Sequence, residues 1–238
     1  MKHTLRTILL TSLIVLGACQ MDTSGTVDGE ESPENVDPKD TETDDLQEVR
    51  AFQDEFTSGF LQSREETRPG YYPFLSGTGA FEMDFPAEGK LGEKSYNIRE
   101  KNYEAIMIGV GSEESDITHI ITVTYYAHLE EDVHKDSRLG QLQSSVEEEL
   151  DFERVEEENE IYYIAPYESD NEDFDFETFG QAAFIFNKNE TGGIEVIYSS
   201  DCEKNCDDLK EADMSESFEW IKSIKFLEDT EAVDENEK

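Results

Sequence analysis

The sequence predicts an α+β domain in which an antiparallel sheet is covered by helices, and three observations carry that reading. Apolar residues recur at every second position in several runs and at every third or fourth position in three others. The strand-like runs come in consecutive groups instead of alternating one for one with helices, which argues against a doubly wound parallel sheet. Residues 45–228 form one stretch long enough for a single core, with no internal repeat.

Taken in order, residues 45–64 read as one helix. Val49, Phe52, Phe56 and Phe60 make a single apolar stripe, and Thr43, Asp44 and Asp45 offer capping oxygens. Arg68, Pro69 and Gly70 stop it. From Thr78 the period changes to two, with Phe81, Met83 and Phe85 alternating with Glu82 and Asp84. Pro86 ends that strand, and Gly89 and Gly92 mark a turn region. Residues 102–110 follow as a strand apolar on both faces, Ile106, Ile108 and Val110 opposite Tyr103, Ala105 and Met107, which predicts a central position. Residues 117–128 give the clearest strand, with Ile121, Val123 and Tyr125 on one face and Thr122, Thr124 and Tyr126 on the other. A three-stranded meander is expected. The helical period returns over residues 137–150, on Leu139, Leu142, Val146 and Leu150. Strands resume at 161–165, 181–187 and 194–199, the last two joined by a hairpin loop containing Asn189, Gly192 and Gly193. A helix over 215–223 and a short strand at 224–226 close the domain.

The element order resembles that of the PsbP/Mog1-like family of α/β/α sandwiches. The resemblance is carried by the closing run Phe218, Glu219, Trp220, Ile221, Lys222, Ser223, Ile224, Lys225, Phe226 and by the opening Phe81 to Pro86 strand. It spans residues 81–226 and departs from the family in the added Val49 helix. It implies a binding or assembly-assisting module, because members act mostly through surfaces and share no common catalytic triad.

Ahead of the domain, Lys2, His3 and Arg6 make a positive region, residues 8–16 make an apolar one, and Gly17 and Ala18 precede Cys19. The apolar run is about half of the ~20 residues that crossing a bilayer needs. A plain secretory signal cut after Ala18 has the same outline, but Leu16, Gly17, Ala18 and Cys19 resemble the bacterial lipoprotein signal at each defining position. That resemblance implies acylation of the Cys19 thiol, cleavage between Ala18 and Cys19, and anchoring by acyl chains at the extracytoplasmic face of the cell membrane. The choice between a Gram-positive outer leaflet and a periplasmic face stays open. Residues 19–44 then read as the lipidated cysteine and a disordered acidic tether, and residues 229–238 as an acidic tail.

The full chain holds 59 Asp and Glu against 19 Lys and Arg, a net charge of −40. Removing residues 1–18 takes away Lys2 and Arg6 and no acid, so the mature chain is more negative still. Nucleic-acid binding, which rests on phosphate neutralisation, is excluded, as is attraction to anionic lipid headgroups. The acids are spread along the chain, which fits a solvated, self-repelling surface better than one dedicated cation site.

Cys202 and Cys206 are the only cysteines left beside Cys19, and an even pair in an exported chain points to a disulfide. Three intervening residues differ from the two of a thioredoxin-like redox pair. Asp201 and Asp207 flank this loop, and Asp173 and Asp175 lie in a second acidic run. Either offers the oxygen ligands that calcium takes, although Thr178 stands where an EF-hand needs glycine. His119 shares a strand face with Ile121 and Val123, where a hydrogen-bonded core or edge histidine is expected. His128 and His134 lie in or beside a polar segment. The pairs Tyr71 and Tyr72, Tyr125 and Tyr126, and Tyr162 and Tyr163 each point one ring inward and one outward if they lie in strands. The function predicted is that of a non-enzymatic, membrane-tethered lipoprotein binding a protein, a cell-wall component or a small ligand. The alternative is calcium handling through the acidic loops, and no other cofactor is implied.

Overall fold

The phenylalanine stripe packs inward as its spacing predicts, but on a broken helix. In the computed structural model, which describes residues 49–112, 115–169 and 176–228, α1 (Arg50–Gln53) and α2 (Glu55–Ser58) are separated by Asp54 in an extended conformation. The cause is local. The Asp54 carboxylate accepts from the backbone of Thr57 at 2.9 Å and from its hydroxyl at 2.7 Å, so it caps a new turn instead of continuing the old one. Phe56 and Phe60 still pack edge to face, and Phe60 stacks on Phe74. The signal with Ala18 and Cys19, the acidic stretch after it, Asp173, Asp175 and the 229–238 tail lie outside the described residues.

Two sheets follow. The smaller has the order β1 (Tyr71–Leu75), β2 (Phe81–Pro86), β11 (Lys225–Phe226), all antiparallel. The expected strand at Phe81 is present with alternating burial, but it pairs with β1 and β11 and takes no part in a three-stranded meander. The larger sheet runs β3 (Gly89–Leu91), β5 (Tyr103–Val110), β6 (Ile117–Tyr126), β10 (Gly193–Cys202), β9 (Glu177–Asn187), β8 (Glu160–Ser169), β7 (Glu153–Glu156), with β4 (Asn97–Arg99) also on β5. The short strands β1, β3, β4 and β7 carry no strong alternation, which is why sequence reading passes over them.

The large sheet is the middle layer. On one face Ile108, Ile121, Val123, Tyr162, Ile185 and Val196 meet Phe74, Phe81 and Phe85 of the small sheet together with Trp220 and Ile221 of α4 (Cys206–Lys222). On the other, Tyr163, Ala165, Phe184 and Phe186 pack under Leu142 of α3 (Glu131–Val146). Strands β8 and β9 are covered on both sides, so Tyr162 and Tyr163 are both buried, against the in-and-out expectation. Strand β5 is not central. It lies near the edge, with Ile106 and Ile108 buried and Met107 38% exposed on the opposite face.

Both long helices start earlier than their apolar periods suggest. Helix α3 opens on Glu131 and Asp132, whose charges suit a helix N-terminus, and ends where Glu147 turns left-handed. Helix α4 opens at Cys206, with Asp207 and Asp208 in its first turn. Trp220 is fully buried and donates to the Asp84 carbonyl at 2.7 Å, which ties α4 to β2. No helix of the described residues is long and apolar enough to cross a membrane.

Candidate functional site

Four loops and the segment after β11 meet at one end of the sandwich around a cleft of about 400 Å³. The β1–β2 turn supplies Thr78 and Gly79, the turn before β5 supplies Asn102, the segment after β6 supplies His128, and the β9–β10 hairpin supplies Asn187 and Thr191. Tyr125 and Phe226 provide aromatic surface. These walls are held by bonds between loops. Leu227 donates to Ala80 O at 2.9 Å, Ala127 to Asn102 O at 3.0 Å, and the Thr191 hydroxyl to Ala127 O at 2.9 Å. His128 Nε2 lies 3.0 Å from Asn102 Oδ1. The β1–β2 turn is fastened from below by Glu104, a fully buried carboxylate on β5 that accepts from Gly77 N, Thr78 N, Thr78 Oγ1 and Tyr96 Oη. A cleft shaped before any ligand arrives binds without an ordering cost.

Sequence reading finds none of these positions except Tyr125 and His128. Asparagine, glycine and threonine in loops signal turns, and nothing in their spacing shows that these turns converge.

Sites expected from the sequence lie elsewhere. Cys202 and Cys206 are joined by a disulfide, with Cα atoms 5.7 Å apart, that links the end of β10 to the start of α4. Asp201 accepts from the Thr178 hydroxyl at 2.8 Å, and Asp207 stands in the first turn of α4. Among the described residues no group of three or more His, Cys, Asp or Glu side chains is arranged to hold a metal ion. His134 closes the first turn of α3, its Nδ1 3.0 Å from Glu130 N.

His119 meets Ser200 and Asp213, three residue types that invite a catalytic reading. The geometry does not support one. His119 Nδ1 faces both partners, at 3.1 Å from Ser200 Oγ and 3.5 Å from Asp213, while the Ser200 hydroxyl donates to Asp213 at 2.6 Å. A nucleophile needs its hydroxyl proton aimed at the imidazole and its oxygen open to substrate, whereas Ser200 is fully buried. Burial pushes the imidazole below its ordinary value and the Asp213 carboxyl above its own, so the group is a buried polar joint between β6, β10 and α4.

A family model described as "Putative lipoprotein YvcA", named for YvcA and Mog1p, matches residues 47–225. The chain belongs to this family. The family's curated member of that name from Bacillus subtilis (strain 168) is 35% identical over 115 residues, which are 48% of this chain and 48% of that protein. The match therefore spans about half the length of that YvcA relative. Among solved structures, a point mutant of the protein Mog1 aligns with a TM-score of 0.46 at 8% identity, covering 67% of this chain and 97% of that one. The Ran-binding protein Mog1p of Saccharomyces cerevisiae aligns with a TM-score of 0.42 at 9% identity, covering 65% and 94%.

Proposed function

We propose that this member of the YvcA family is a non-enzymatic binding protein, anchored through Cys19 at the extracytoplasmic face of the cell membrane, that captures a polar envelope ligand in the loop-end cleft. The lipoprotein family and the Leu16 to Cys19 signal support the location. The observation that carries the binding role is the convergence of Thr78, Asn102, His128, Asn187 and Thr191 on one preformed cleft with aromatic surface beside it. Hydrogen-bonding side chains on a rigid frame select polar ligands by geometry.

Mass spectrometry of the mature chain tests the anchor. It should find residues 1–18 missing and Cys19 diacylated, and a Cys19→Ala variant should leave the membrane fraction. The cleft is tested separately by titrating the chain with cell-wall glycan and stem-peptide fragments. Saturable amide shifts should centre on Asn102, His128 and Thr191 and be lost in Thr191→Trp, which fills the cleft. Shifts spread over the surface, or unaltered by that substitution, overturn the binding reading.

A further inference from the structure

The polar side chains of the loop-end cleft have already committed part of their hydrogen-bonding capacity to the fold, and what they keep narrows the ligand. The Thr78 hydroxyl donates to Glu104 at 2.9 Å and the Thr191 hydroxyl to Ala127 O at 2.9 Å, so both protons are spent. Asn187 Oδ1 accepts from Asn189 N at 2.9 Å and from Glu190 N at 3.0 Å, and Asn102 Oδ1 accepts from His128 Nε2 at 3.0 Å. Each asparagine has used its oxygen and kept its amide N–H groups.

Those two amide nitrogens have no partner among the described residues. Both are within reach of a ligand. Asn102 is exposed, and Asn187 Nδ2 does not belong to the buried unbonded side-chain atoms, which among the described residues are Arg68 Nη2 and Gln181 Oε1. The cleft therefore offers neutral N–H donors and asks for an acceptor.

The surrounding charges choose the kind of acceptor. Glu190 and Glu228 line the cleft against Lys101, on a chain whose net charge is −40, so a carboxylate or phosphate meets repulsion without a compensating positive excess. An uncharged carbonyl oxygen meets none. His128 adds the complementary half, because with its Nε2–H committed to Asn102 the Nδ1 of the neutral imidazole accepts an N–H. A carbonyl, an N–H and a small apolar end together make a secondary acetamide, and the Phe226 ring beside the cleft suits its methyl.

We propose that the cleft recognises the acetamido groups of an N-acetylated glycan, Asn102 and Asn187 donating to carbonyl oxygen and His128 Nδ1 accepting the amide N–H. This assignment rests on the binding role proposed above for the same cleft and adds its ligand class. A peptide repeats the amide unit but ends in a carboxylate, which the acidic lining disfavours.

The test follows the Asn102 and Asn187 side-chain amides by NMR while the chain is titrated with N,N′-diacetylchitobiose, with cellobiose, which has the same linked rings and no acetamido group, and with a wall stem pentapeptide. Saturable shifts of both amides with the diacetyl sugar, at an affinity about tenfold or more above that for cellobiose, support the proposal. Asn187→Asp and Asn102→Asp carry the decisive comparison, because each keeps the oxygen that the fold uses and removes the N–H donors. Each should weaken diacetylchitobiose binding by about tenfold or more. Equal affinity for cellobiose, unchanged affinity in either variant, or binding of the peptide alone overturns the acetamido assignment while leaving the cleft a binding site. Should none of the three probes shift a cleft residue, the assignment is overturned together with the binding role it rests on.

Discussion

The buried carboxylate of Glu104 on β5 of the large sheet holds Thr78, in the β1–β2 turn of the small one, by both its backbone N–H and its hydroxyl, each at 2.9 Å. Gly77 N and Tyr96 Oη supply two more donors, so a charged group with no exposure is matched on both oxygens. Glu104→Ala takes away the acceptor that these part-buried donors share and should cost about 3 kcal/mol, read as a lower urea midpoint. Gly77→Ala should act in the same direction, because an added Cβ falls 2.1 Å from Tyr96 Oη. Both variants should also broaden the NMR signals of Thr78 and Gly79, which line the cleft.

A second weak point lies in the middle of the large sheet. Gly180 of β9 sits between Ser199 of β10 and Tyr167 of β8. A Cβ there would come within 1.9 Å of the Tyr198 carbonyl and 3.2 Å of the Tyr167 ring. Backbone cannot yield without breaking the β9–β10 ladder, so Gly180→Ala should destabilise by about 3 kcal/mol. Thermal unfolding checks this, and an unchanged midpoint would contradict the packing described.

Asp54 gives a pH-dependent prediction. Its ion pair with Lys90 at 2.7 Å, together with the two Thr57 hydrogen bonds, lowers its pKa to about 2. A folded-state pKa below the unfolded one adds stability that is complete above the unfolded carboxyl value and vanishes as pH falls through the folded one. Asp54→Asn should therefore be less stable than the parent at pH 7, and most of the difference should be gone at pH 2. Urea titrations at both pH values decide it.

The disulfide closes a short loop from Cys202, fully buried at the end of β10, to Cys206 at the start of α4. Restricting so small a loop in the unfolded chain contributes about 2 kcal/mol. The Cys202→Ser, Cys206→Ser double variant should lose about that much. Hydrogen exchange should quicken first in the opening turns of α4, ahead of Asp213 and Met214 at its middle, which bond to His119 and Gln181.

Local pattern made much of this protein legible. Alternation at Phe81, Met83 and Phe85 marks β2 and its buried face, and alternation at Ile121, Val123 and Tyr125 does the same for β6, because a strand repeats every two residues whatever lies beside it. The acidic balance, the Leu16 to Cys19 motif and the Phe81 to Phe226 resemblance were equally readable in one dimension, and the family match agrees with the last of these. Partnership was not readable. Only the tertiary structure sends β2 to pair with β11 from the far end of the chain, splits the first helix at Asp54, buries Tyr162 and Tyr163 together, and sets Gln181 opposite a proline. Periodicity records which side of an element is apolar, whereas pairing and convergence depend on which distant surfaces bury one another best, and that choice is made by the whole chain at once.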